Sequence, residues 1–435
     1  MFLASTLALA APLAFDPSRP PPLVGSEAGR PLYAFAPGVA LAVTDGVVFT
    51  VVSGGPPPGA EPLGGHSWRL RGDDPIALAS ALAADPRYTS VFPDVILHRA
   101  PAFDDPSYGG QWYLQALEME PLFAASLGDP GVRVAVIDSG IAIGHPDLGP
   151  AVSDPYDAWA DDDDPSPDPG DEHGTAVAGV ALARADNGEG IVGMCPACTL
   201  VPIKLLGEGS GGALSADIRA FEHAIASDAA VINNSWGFVE AIAVPEPLAA
   251  VIARATTEPR GGKGALVVFA AGNDSREIGD DELQALPGVL CVSAVDSYGY
   301  PTNYTNSGRA VDLAAPSATV SIAPDGVTTT FGGTSAAAPV ASGLAAWALS
   351  VAPDLSAEEL GELLIASAEP SPNMATDADG RNDVYGWGVL SATNVMSALI
   401  AEDPELAACA CGAVGPAGAW GPLALGVFAL LRRRR

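Results

Sequence analysis

Three polar residues sit where an apolar or glycine-rich run gives way to small side chains. Ser335 follows Gly332, Gly333 and Thr334 and opens the tract "SAAAPVASGLAA". A serine at a helix N-terminus lies among unpaired backbone N–H groups and the positive end of the helix dipole. A hydroxyl placed there can attack a carbonyl and leave the resulting oxyanion beside those donors. The same position also suits a serine that only caps a buried helix. A serine nucleophile needs a base in hydrogen-bond reach, and the base needs a partner that fixes its tautomer. Asp138 ends the buried run "VRVAVID", with Ser139 and Gly140 turning the chain after it. His173 opens "HGTAVAG" and is the one of five histidines at the mouth of a small-residue helix. Taken singly, Asp138 reads as a turn residue and His173 as a surface histidine; taken together they supply an acid–base pair for Ser335.

The elements that must position these groups are legible as period and punctuation. "VRVAVIDSG", "TLVPIKLL", "AAVINNSWG", "GALVVFAAGN" and "VLCVSAVD" are apolar runs that end in polar residues or glycine. Helical stretches such as "SADIRAFEHAIAS" and "PLAAVIARATTE" separate several of them. Near-continuous apolar strands alternating with helices predict an α/β fold: a mainly parallel sheet covered by helices on both faces. In such sheets chemistry collects beyond the carboxyl ends of the strands, where Asp138, Asn234, Ser235 and Asn273 stand. Residues 20–100 read as a small α+β unit. There "ALAVTDGVVFTVVS" predicts a hairpin turning at Asp45-Gly46, "DDPIALASALAADP" a helix begun by Asp and Pro75, and "YTSVFPDVILHR" a strand.

Asp138 in "VIDSGI", His173 in "HGTAVAG" and Ser335 in "GTSAAAP" resemble the three active-site signatures of the subtilisin-like serine proteases, in that family's order. "AAGN", ending at Asn273, resembles its oxyanion-hole segment, and "NNSWG" its substrate-binding strand. The likeness runs from about Asp105 to Ala398, closing in "YGWGVLSATNVMSA", and departs from many relatives at Ala176 and Val340, neither of them one of the three triad positions. It implies a serine endopeptidase acting on protein or peptide substrates through an acyl-enzyme. Ser335 would be the nucleophile, His173 the base, Asp138 its orienting partner and Asn273 an oxyanion donor. Ser235, Trp236 and Gly237 would form one wall of the substrate cleft, with Ala271 and Gly272 lining the other wall of the first pocket. The resemblance also implies a structural Ca2+ held by Asp147 of "HPDL", Asn187 of "DNGEGIVG" and Asp105 of "DDP". The acidic loop "DDDDPSPDPGDE" before His173 reads equally as a solvated loop and as a further calcium site. Two other readings stay open: a non-catalytic cell-surface binding module on the same fold, and a serine esterase.

Composition bounds the rest. A formal charge of −32, with Lys204 and Lys263 the only lysines, excludes nucleic-acid binding, which needs clustered cations. Five cysteines are too few for a disulfide scaffold, and "CPAC" at Cys195–Cys198 is expected to close a local disulfide. Residues 1–19 read as a signal peptide, with Ala8-Leu9-Ala10 as a cleavage motif. Residues 20–100 read as the enzyme's own propeptide, cut between about Arg99 and Asp104, where "RAPAFDDPSYGGQWYL" looks like a mature N-terminus. Residues 101–400 form the expected catalytic domain and 401–435 a tail. In the tail, nineteen uncharged residues from Ala413 to Leu431 precede Arg432–Arg435. That pattern fits a C-terminal membrane anchor and resembles the tripartite sorting signals of myxobacteria. The expected location is exported, at the cell surface or outside the cell.

Overall fold

A computed structural model describes residues 15–17, 19–27, 30–36, 39–95, 103–207, 211–371 and 374–402. These fall into two units, one within residues 1–99 and one within residues 100–410. Most of the expected signal peptide, the 96–102 junction and nearly all of the tail, with Cys409 and Cys411, lie outside the described residues.

In the N-terminal unit, strands β1 (Leu23–Glu27), β2 (Arg30–Ala36), β3 (Val39–Val51), β4 (Glu61–Gly64), β5 (Ser67–Arg71) and β6 (Tyr88–Val95) form an antiparallel sheet. Helix α1 (Pro75–Ala83) begins as its sequence predicts, with Asp74 accepting from Ala77 N at 2.9 Å and Pro75 in the first turn. Val47, Phe49, Ala79, Leu82, Tyr88 and Val91 make its core. The hairpin expected at Asp45-Gly46 is absent: both residues lie inside the continuous strand β3. Local turn chemistry loses here to lateral pairing. Asp45 is paired with Arg69 and Arg71 of β5, and the Arg69 guanidinium lies over Gly46, where a methyl group would stand 2.9 Å from Nε.

In the second unit, short helices α2 (Trp112–Ala116) and α3 (Glu120–Ala125) precede the sheet. Its strands are β7 (Arg133–Asp138), β8 (Tyr156–Asp157), β9 (Thr199–Lys204), β10 (Val231–Asn234), β11 (Leu266–Ala270), β12 (Val289–Val295) and β13 (Leu313–Pro316). They run in the order β13-β12-β11-β10-β7-β9-β8 with every pair parallel, as the apolar runs predict. Alternate residues feed opposite layers. Val134 and Val136 of β7 face α4 (His173–Leu182) and, later in the chain, the helix over Thr334–Val351. Ala135 and Ile137 face α5 (Leu214–Ala226) and α6 (Glu246–Ala255). A single turn, α7 (Pro259–Gly262), leads into β11, and hairpin β14–β15 (Ser321–Ala323, Gly326–Thr328) leads into α8 (Thr334–Val351). Helices α9 (Ala357–Ser367) and α10 (Ala392–Glu402) close the unit. Among the described residues, α8 alone is long and apolar enough to span a bilayer, and it is a buried core helix. Cys195 and Cys198 form the expected disulfide, and Cys291 is a free thiol buried in β12.

The chain passes from β7 to β8 and β9 on one side, then crosses to β10 on the other. That switch opens a crevice beyond the carboxyl ends of β7 and β10. Asp138 ends β7 and Asn234 ends β10 at that point, both fully buried.

Candidate active site

Asp138 is fully buried at the end of β7. Its Oδ1 accepts the Ser139 N–H at 2.8 Å and meets His173 Nδ1 at 2.7 Å. Because a carboxylate oxygen accepts, Nδ1 carries the proton and Nε2 is left with a lone pair. Gly174 permits this approach: a methyl group there would lie 2.4 Å from Gly140 O and 3.0 Å from Asp138 Cβ. Asp171 fixes the start of α4 by accepting from His173 N at 2.9 Å and from Ser139 Oγ at 2.8 Å. The Asp138 charge raises the His173 pKa above the ordinary imidazole value, against the opposing effect of burial. Phe331, four residues before Ser335, sets its ring edge-on to the imidazole at 5.8 Å between centroids.

Ser335 lies in the first turn of α8, nine-tenths buried. Gly333 makes the entry with φ of +79°, a conformation that side chains with a Cβ rarely adopt. Pro339 has no N–H to give the carbonyl four residues back, so Ser335 O is left open inside the helix. Ser235 fills the gap, donating its hydroxyl to Ser335 O at 3.0 Å. In return the Ser335 hydroxyl donates to Ser235 O at 3.2 Å, its resting partner in place of His173.

Asn273 follows β11 and is exposed. Its Oδ1 accepts both Thr334 N–H (2.9 Å) and Thr334 Oγ1–H (3.0 Å). Two donors on one oxygen fix the amide's orientation: Oδ1 faces the start of α8 and Nδ2 is the end left to donate to a ligand. Thr334 Oγ1 in turn accepts from Gly272 N at 3.1 Å.

The wall residues behave differently from one another. Ser235 is buried and Gly237 exposed, but the Trp236 indole packs edge-on against Phe269 in the α5–α6 layer. Ala271 is fully buried beside Ile278, Cys291 and Val311. The side chains of Trp236 and Ala271 therefore serve the core.

Sequence reasoning missed Thr334, and it missed the pair behind Ser235. Ser342 Oγ donates to Asn233 Oδ1 at 2.8 Å, and Asn233 Nδ2 donates to Ser235 Oγ at 3.0 Å. Both Asn233 and Ser342 are fully buried, and nothing local in the sequence links residues 109 apart.

The calcium candidates come together around one loop. Asp147, fully buried, accepts from Asn187 Nδ2 at 2.9 Å and Ile191 N at 3.0 Å. Burial pushes its carboxyl up to about 6. Asp105 accepts from Asp186 N at 3.0 Å, and its other oxygen, Oδ1, is buried with no partner among the described residues. Carboxylates held above their usual range and an orphaned acceptor fit a hard cation with oxygen ligands. Asp104, not expected as a ligand from sequence, and Asp186, which opens the expected loop, each bring a carboxylate oxygen within 4.8 Å of one of Asp105. The acidic loop before His173 contains a cation of the protein's own: Lys204 Nζ donates to Ser166 O at 3.1 Å and Asp168 Oδ1 at 2.9 Å.

Residues 129–388 match the model of the subtilase family, Peptidase S8. The chain belongs to the subtilase family. This subtilase is 34% identical over 309 residues to the halolysin-like extracellular serine protease Nep of Natrialba magadii, covering 69% of the chain and 53% of that relative. It is 29% identical over 319 residues to a calcium-dependent protease of a Nostoc species, covering 63% and 47%. Subtilisin E of Bacillus subtilis is 31% identical over 234 residues, covering 51% and 56%. The subtilase thus spans about half the length of the curated relatives it matches. Among solved structures, a protease from Pseudoalteromonas arctica superimposes with a TM-score of 0.59 at 26% identity, covering 69% of this chain and 100% of that one.

Proposed function

We propose that this subtilase is a serine endopeptidase that transfers the acyl half of a peptide bond to water. Ser335 Oγ leaves Ser235 O for His173 Nε2, gives up its proton there and attacks the carbonyl carbon. His173 passes that proton to the departing amine, then takes one from the water that hydrolyses the acyl-enzyme. Asp138 holds the imidazole in the required tautomer and stabilises its charged form. The Asn273 amide and the Ser335 N–H receive the oxyanion at the positive end of α8. The main chain of Ser235, Trp236 and Gly237 pairs with an extended peptide as an added strand, with Ala271 and Gly272 opposite.

The observation that carries the reading is the 2.7 Å contact between His173 Nδ1 and the buried Asp138, at the same sheet end as the glycine-entered helix that begins at Thr334-Ser335. A fluorophosphonate probe, which labels an activated serine, and a comparison of casein with short-chain esters test it. No labelling would favour a non-catalytic binding module, and ester turnover without casein cleavage an esterase.

The same reading makes residues 20–100 a propeptide that assists folding and is cut off between about Arg99 and Asp104; its own core and helix support a separately organised unit. Asp105, Asp147 and Asn187 would hold Ca2+, which when bound ties the N-terminal segment to the 186–191 loop. The calcium-dependent name of the Nostoc relative supports that assignment. Export to the cell surface or medium is supported by the extracellular names of relatives, and a C-terminal anchor or sorting tail by the composition of residues 413–435.

A further inference from the structure

Ser139 and Asp171 tie together the two chain ends that carry the acid–base pair. Asp138 ends β7 and His173 begins α4, while Glu172, just before that helix, makes no side-chain cap. The cap comes from further off. Asp171 Oδ1 accepts the His173 N–H at 2.9 Å, and the Ser139 hydroxyl oxygen accepts the Gly174 N–H at 3.3 Å. These two groups also bond each other, Ser139 Oγ donating to Asp171 Oδ1 at 2.8 Å. A hydroxyl has one proton to give and lone pairs to receive with, so both bonds of Ser139 Oγ are satisfied at once. The Ser139 N–H meanwhile donates to Asp138 Oδ1 at 2.8 Å. One buried residue therefore holds the Asp138 carboxylate with its main chain and the start of α4 with its side chain.

The latch is also charged. The Asp138 charge is the main cause of the raised His173 pKa, and the charge of the half-buried Asp171 adds to it. Glu172, the next residue, is exposed, and the segment entering α8 brings the uncharged Phe331 ring to the imidazole. Two carboxylates, from β7 and from the residues before α4, thus act on one base.

Resting on the endopeptidase reading above, we propose that Ser139 and Asp171 are positioning residues for His173. Their bonds set where the imidazole meets Asp138, and the Asp171 charge helps hold the proton taken from Ser335. A misplacement of about 1 Å costs about 10² in rate, so the 2.7 Å contact of Nδ1 with Asp138 needs a fixed helix start behind it. A negative charge beside the ring favours imidazolium, the form created only when Ser335 gives up its proton.

Profiles of kcat and kcat/KM against pH on a chromogenic peptide test this in the wild type, Asp171→Asn, Asp171→Ala, Ser139→Ala and Ser139→Thr. The rate of fluorophosphonate labelling against pH is followed alongside. Asp171→Asn keeps the acceptor oxygen and the shape but removes the charge, so its acid limb should move to lower pH. Asp171→Ala and Ser139→Ala break the latch and should lower kcat by about tenfold to 10²-fold with KM little changed. Ser139→Ala keeps both charges, so its acid limb should stay in place, and Ser139→Thr should recover most of the lost kcat. An unmoved limb in Asp171→Asn would overturn the role of the charge. A folded Ser139→Ala with the wild-type kcat would overturn the latch. A wild type that takes the probe but cleaves no peptide would overturn the endopeptidase reading alone, because labelling rates still read His173 in every variant. A wild type that takes no probe would overturn both.

Discussion

Thr334→Val is the sharpest probe of how the proposed oxyanion site is built. Valine keeps the shape of threonine and its main-chain donor but removes the hydroxyl. One of the two bonds on Asn273 Oδ1 survives, the 2.9 Å bond from Thr334 N, and the 3.0 Å bond from Oγ1 is lost. Gly272 N also loses its acceptor at 3.1 Å. A neutral hydrogen bond is worth about 1 kcal/mol net, and an orphaned donor costs about 1–3 kcal/mol. Deleting an oxyanion side chain outright costs about 10² to 10³ in kcat, roughly 2.7–4 kcal/mol. A half-released Asn273 should therefore lower kcat by between about fivefold and 10²-fold, with KM little changed. The assay is a double-mutant cycle on a chromogenic peptide with wild type, Thr334→Val, Asn273→Ala and the double variant. If Thr334 acts by orienting Asn273, the valine should cost almost nothing once Asn273 is alanine, a coupling of roughly 1–2 kcal/mol. Thr334→Ser should retain most of the activity. An equal loss from the valine in both backgrounds would refute the orienting role.

Other outcomes follow from the same geometry. Ser335→Ala should lower turnover by about 10⁶ and abolish fluorophosphonate labelling while leaving the melting temperature within a few degrees; casein cleavage near the wild-type rate would remove Ser335 as nucleophile. In the same variant the chain should remain uncut between Arg99 and Asp104, and efficient processing of the purified protein would show that the cut is not its own. Because the Asp138 charge raises the His173 pKa and only neutral imidazole can act as base, activity should fall as pH drops through a value above that of an ordinary histidine. Asp138→Asn should move that acid limb to lower pH and reduce kcat by about 10⁴, and an unmoved limb would break the assignment. Calcium at 100 to 1,000 times its Kd should add about 2.7–4.1 kcal/mol of stability, read as a melting temperature that drops in chelator. Asp147→Asn should abolish that response; a chelator-insensitive wild type would eliminate the site.

The parallel sheet is readable in the chain because each strand is buried on both faces, so five apolar runs stand out without any partner being known. Their ends are readable for the same reason: Asp138, Asn234 and Asn273 interrupt apolar runs where the crevice begins. The N-terminal unit was less transparent. Asp45-Gly46 carries a strong local turn preference, yet its conformation is decided by Arg69 and Arg71, more than twenty residues away. Charge misleads in a similar way. The acidic loop before His173 has the composition of a cation site, but only the fold reveals that β9 delivers Lys204 to Ser166 and Asp168. Side-chain direction is a further hidden variable: a motif marks Trp236 and Ala271, while the sheet turns both inward.

What the motifs leave out most completely is the device that holds β10 against α8. Helix α8 presents alanines to its neighbours through much of its length, and such small side chains interlock weakly, so apolar packing alone specifies the register of the two elements poorly. The polar bonds specify it. Pro339 opens the Ser335 carbonyl, Ser235 closes it, Asn233 orients the Ser235 hydroxyl, and Ser342 returns the chain of bonds to α8 two turns after Ser335. Each group is buried and satisfied, so a shift by one residue along the helix would orphan several donors and acceptors at once, at about 1–3 kcal/mol apiece. The proposed nucleophile and the proposed substrate strand are thereby held in one register. The proline that costs the helix a hydrogen bond is also what supplies the acceptor for that register.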